Sequence, residues 1–176
     1  MFNKAKVLAS VLFSSTCFIP FAANANNFSY NYLEVFTSIS PDSTGVEFSN
    51  QIMDNAHVIA RASTRFDQDH DFAGGIGFNG PINQFADVYG QLLMHQIKET
   101  DEEGGESNVE GEMNIGIRVW FSDQFEATVR VGRLDDSSVF YAGVRFHSTE
   151  QLSLSAETRN NGIYGPQLTM SVRFQF

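Results

Sequence analysis

Apolar and polar residues alternate with period two through most of this chain, most plainly at its end. Leu168, Met170, Val172, Phe174 and Phe176 share one parity, and Gln167, Thr169, Ser171, Arg173 and Gln175 share the other. Such alternation predicts a strand with one apolar face and one polar face. The pattern recurs over roughly 28–38, 44–53, 57–66, 72–79, 86–98, 111–121, 125–133, 138–147, 151–159 and 166–176, which gives ten predicted strands. Fusing a weak segment such as 72–79 with its neighbour gives eight. The connections 54–56, 80–85, 122–124 and 148–150 read as short turns, and those between them as longer or more acidic, above all 99–110.

An apolar strand left at the edge of an open sheet exposes a sticky row of unpaired backbone groups, and closing the sheet into a barrel removes that edge. The terminal strand resembles the C-terminal assembly signal of bacterial outer-membrane β-barrels, with Phe174 and Phe176 as its aromatic positions. The fold class expected is therefore all-β: a transmembrane antiparallel up-and-down β-barrel of ten strands, with eight as the alternative. Barrel strands need only nine to eleven residues to cross a bilayer, so their hydrophobicity hides in the alternation.

Charge parity then chooses the faces. Arg61, Arg65, Arg118, Arg130, Arg145, Arg159 and Arg173 fall on the polar side of their segments, and so do Glu34, Glu47, Glu112, Glu126 and Glu157. An arginine facing lipid at mid-membrane costs about 2–4 kcal/mol. The polar parity is therefore the lumen, and these residues form its expected charge network. Gly75, Gly77, Gly116, Gly132 and Gly143 share that parity and leave room for long side chains from across the barrel. Aromatics at segment ends predict two interfacial girdles. Phe28, Tyr30, Phe85, Trp120, Phe121, Phe125, Phe146 and Phe176 form one, and Phe36, Phe66, Phe72, Phe140 and Tyr164 the other.

At the N-terminus, Lys4 and Lys6 precede an apolar run from Val7 to Phe21 and the small residues Ala23-Asn24-Ala25. This reads as a signal peptide over 1–25, with the barrel occupying 26–176. The single cysteine, Cys17, lies inside the predicted leader, so no disulfide is expected in the exported chain. All 21 acidic residues lie after residue 25, and the whole chain carries a formal net charge of −10. That balance excludes nucleic acid as a partner.

Other motifs fail on context. Gly75-Ile76-Gly77-Phe78-Asn79-Gly80 matches a dinucleotide fingerprint, but Pro81 follows and no helical pattern does. Asp67, Asp69 and Asp71 begin like a calcium loop, yet Phe72 and Phe78 stand where glycine and glutamate are needed. That cluster and the acidic run 99–112 are expected at most to hold divalent cations weakly. His70 and His147 lack the surroundings of an outer-membrane protease or a lipid A deacylase. No cofactor is expected.

As a whole, the chain resembles the small outer-membrane β-barrel proteins, the group containing OmpA-type barrels and the short adhesion and invasion barrels. The resemblance implies the outer membrane as location. Outer-membrane lipid, lipopolysaccharide and the barrel-assembly machinery are the implied partners, and a monomer the implied state. The first functional reading is a non-enzymatic structural or surface-interaction barrel with a largely filled lumen. A small porin-like diffusion pore is the alternative, and a lipid- or peptide-modifying enzyme is less favoured.

Overall fold

The computed structural model describes residues 28–65, 69–98 and 107–176. The predicted leader, Phe66, Asp67 and most of the acidic loop lie outside them. Ten strands follow one another: β1 (Tyr32–Ile39), β2 (Ser43–Met53), β3 (Ala56–Arg65), β4 (His70–Asn83), β5 (Ala86–Lys98), β6 (Ser107–Ser122), β7 (Phe125–Leu134), β8 (Ser137–His147), β9 (Leu152–Asn160) and β10 (Pro166–Gln175). Each is antiparallel to the next, and β1 pairs with β10 from Tyr32↔Gln175 to Ile39↔Leu168, which closes the sheet. The fold is a ten-stranded up-and-down barrel, so the eight-strand alternative is excluded. Closure gives every strand two neighbours and leaves no edge.

Side chains alternate between bore and outer surface. In β1, Tyr32, Glu34, Phe36 and Ser38 are buried while Leu33, Val35 and Ile39 are exposed. In β10, Gln167, Thr169, Ser171 and Arg173 point inward, and Leu168, Met170, Val172 and Phe174 outward. The molecule is thus inverted relative to a water-soluble barrel, because its outer wall must meet hydrocarbon and its polar groups must find partners within.

We call the end where β1 begins the lower mouth and the opposite end the upper mouth. Register shifts at Gln51/Met53, Pro81/Asn83 and Trp120/Ser122 all lie at the lower mouth, beside the short turns. A bulge there lets a strand bend into its turn. It also accommodates Pro81, which has no N–H to give the ladder.

Several boundaries differ from the sequence expectation. The predicted turn 80–85 shrinks to two residues because β4 runs on through Asn83. Strand β6 starts at Ser107, so Glu110 and Glu112 belong to a strand and not to the acidic loop. At the upper mouth β7 and β8 are joined by only Asp135 and Asp136, with Asp135 at φ 44°, so connections there are not uniformly long. Residues 28–31 are not part of β1.

Candidate functional site in the barrel bore

The bore collects what alternation sends inward. Near its middle Glu34 receives two arginines, with Arg145 Nη2 at 3.1 Å and Arg173 Nε at 2.5 Å. Arg61 donates from Nε to Glu47 at 2.7 Å, and the Tyr32 hydroxyl donates to the same carboxylate at 2.7 Å. Arg118 grips Glu126 with two parallel bonds of 2.8 and 3.0 Å. That planar match of guanidinium to carboxylate is the strong form of the pair. Glu157 accepts from the Tyr141 hydroxyl and from Ser155 Oγ. Arg130 donates to Gln91 Oε1 at 2.9 Å, while Arg159 lies over the Phe36 ring at 4.1 Å from its centre. Arg65, at the upper rim, is half-buried and pairs with Asp69 at 3.6 Å. Ten of the twelve residues expected to face the lumen line the void between the mouths, Glu112 is buried nearby and Arg65 stands at the upper rim.

Histidines and aspartates not anticipated from the sequence join them. His95 is buried between Asp71 Oδ1 and Glu112 Oε2, 2.9 Å from each ring nitrogen, and Arg61 approaches the same glutamate at 3.8 Å. Each ring nitrogen of His95 therefore faces a carboxylate oxygen. His57 bonds Asn79 at 3.1 Å, and His147 reaches Glu126 at 3.0 Å from the end of β8, not from a turn. A signal was present: His57, Asp71, Asp87 and His95 all carry the lumen parity of their segments. Asp71 was masked by its resemblance to a loop cluster with Asp67 and Asp69.

Both mouths are narrowed by apolar groups. At the lower mouth, Phe28 and Tyr30 fold across the opening and are 2% and 3% exposed. Phe28 stacks on Trp120, Tyr30 stacks on His57, and the Arg118 guanidinium covers both aromatic rings at 4.7 and 5.1 Å. Ser49 Oγ fixes the strap by donating to Tyr30 O at 2.7 Å. At the upper mouth, Ile97, Leu134 and Val139 cluster inside with Ile163 against them.

These placements correct the girdle assignment. Phe28, Tyr30, Phe36 and Tyr164 are buried, and half-buried Trp120 packs on Phe28 inside the mouth. Strand-end position does not distinguish inward from outward, whereas parity does: Phe36 shares the parity of Glu34. The outward lower belt consists of Phe85, Phe121, Phe125, Phe146 and Phe176, with Phe48 stacked on Phe176 at 6.1 Å. Phe72 and Phe140 lie outward in the upper half. The two residues expected as an assembly signal, Phe174 and Phe176, both sit on the outer surface.

Between the mouths the free volume is about 50 Å³, lined among others by Glu47, Arg61, Tyr89, Arg130, Glu157 and Arg159. Among the described residues, no three His, Cys, Asp or Glu side chains are placed to hold a metal ion.

No protein-family model matches the chain, and no curated protein matches it in sequence. Solved structures do. A KdgM porin is similar with a TM-score of 0.56 at 7% identity, over 82% of this chain and 99% of that one. A NanC porin is similar with a TM-score of 0.52 at 6% identity, over 82% and 98%. A KdgM porin in complex with disordered oligogalacturonate gives 0.51 at 7% identity, over 82% and 99%. Identities this low carry fold and nothing finer, and they do not single out the OmpA-type or adhesion-invasion barrels. The chain has the fold of the small outer-membrane porins: a closed, all-β, up-and-down barrel with an apolar wall and a charged interior.

Proposed function

We propose that this protein is a narrow outer-membrane channel of the porin type, non-enzymatic, held in a constricted state by its own bore side chains and by the strap at its lower mouth. The observation that carries the reading is the continuity of polar and charged side chains along the interior, from His147 and Glu126 below to His95 and Asp71 above. Such a lining offers a path for water and small ions once side chains shift. The shared fold with KdgM and NanC porins supports the same reading. It replaces the structural or surface-interaction role as the first choice.

That second role keeps one observation in its favour: the void between the mouths measures only about 50 Å³. Planar-bilayer recording of the refolded protein tests the choice. Small, brief conductance steps are expected from the unmodified protein. Larger ones are expected from Arg118→Ser/Arg130→Ser, which removes bulk from the bore. A silent bilayer with both proteins would overturn the channel reading and leave the structural one.

A further inference from the structure

The ion pairs of the bore leave two arginines over. Arg61, Arg118, Arg145 and Arg173 each have a carboxylate within 3.1 Å. Among the described residues Arg130 and Arg159 form no salt bridge, and the Nε of each is buried without a hydrogen-bond partner. Glu157, next inward position to Arg159 on β9, is engaged by Tyr141 and Ser155 instead. Arg159 is only 8% exposed, yet its visible support is the face of Phe36. Arg130 has one bond to Gln91 and the face of Tyr141 at 5.0 Å. A buried guanidinium without a counter-charge is strongly disfavoured, and an aromatic face offsets only part of that cost.

Both unpaired arginines line the same internal void of about 50 Å³. A space of that size admits water-sized occupants. Six arginines and four glutamates line it, so positive charge is in excess, and Arg130 and Arg159 are the two lining arginines that form no salt bridge among the described residues. Water would supply hydrogen-bond acceptors but no charge, and a sugar acid is too large.

We propose that the void is a binding site for one small monovalent inorganic anion of chloride size, held by Arg130 and Arg159. The anion accepts the two orphaned Nε–H groups and offsets part of the excess positive charge. The site needs no flux through the barrel, so it stands apart from the channel reading.

Two measurements test it. Crystals of the refolded protein grown in bromide should show an anomalous peak between Arg130 and Arg159. In detergent, exchanging gluconate for chloride at constant ionic strength should raise the urea midpoint saturably, since gluconate exceeds the void. Arg159→Met and Arg130→Met should each abolish that chloride response while keeping β-sheet circular dichroism, and Arg159→Lys should retain part of it. If a Met variant fails to fold, the bromide peak of the unmodified protein decides alone. An empty or water-only void, or a salt response that is the same in unmodified and Met proteins, would overturn the proposal. A bromide peak in a protein that never conducts would overturn only the channel reading, and conductance without a peak or chloride response only this one.

Discussion

A single carboxylate shows how differently equal charges count inside and outside this barrel. Glu34 is buried and is the shared partner of Arg145 and Arg173. Removing its charge by Glu34→Gln strands two guanidiniums in a space with little water, a loss of about 3–5 kcal/mol by analogy with broken buried pairs. Arg133 and Asp136 also pair, at 3.5 Å, but on the exposed surface. Exposed pairs contribute roughly 0–1 kcal/mol, so Arg133→Ala should be close to neutral. Urea unfolding of both variants in the same detergent checks the contrast. Comparable losses in the two would mean that the bore is far wetter than its packing indicates. The inward glycines act at this scale too. A Cβ on Gly77 would collide with the His57 ring, so the histidine fits only because its neighbour across the β3–β4 pair has no side chain.

At the scale of the strand, period two is the whole specification. Val129 on β7 is 52% exposed, whereas Thr128 beside it faces the bore and donates to Glu126 Oε1 at 3.2 Å. Val129→Arg puts a guanidinium against hydrocarbon at a cost of about 2–4 kcal/mol and should reduce the folded, heat-modifiable form on gels. Thr128→Val loses one hydrogen bond, about 1 kcal/mol, and should fold. Normal folding of Val129→Arg together with failure of Thr128→Val would reverse the assignment of faces. The same alternation explains why the terminal strand seals the barrel. In β10, the inward Arg173 reaches Glu34 of β1 while the outward Phe174 continues the lipid-facing wall.

For the whole molecule, the strap at residues 28–31 is the part that most changes the functional picture, since it turns an open-ended cylinder into one with a stopper. Its anchors are ring contacts from Phe28 and Tyr30 together with hydrogen bonds to Tyr30 O and to Asn31, outside the ladder of β1. Phe28→Ala/Tyr30→Ala should therefore leave barrel closure and gel mobility intact while raising conductance in planar bilayers several-fold. Unchanged conductance with an intact barrel would assign the constriction to the charge network alone. The barrel itself is legible in the amino-acid sequence, because alternation every second residue is a local property that survives reading one strand at a time. So is the inward parity of Arg61, Arg118, Arg145 and Glu34, since lipid penalises charge wherever the strand lies. Which arginine meets which glutamate is not legible. Arg145 and Glu34 are 111 positions apart and touch only because closure leaves just β10 and β9 between β1 and β8. Nor is the inward turn of Phe28 and Tyr30, whose alternation continues that of β1 although their backbone leaves the sheet. The sequence by itself determined the alternation of the strands and their two faces and left ten or eight strands open, a choice the closed ladder settles at ten. Only the tertiary structure decided the partners across the bore, the stopper and the two arginines left without a counter-charge, because those depend on how ten strands are staggered around a closed ring.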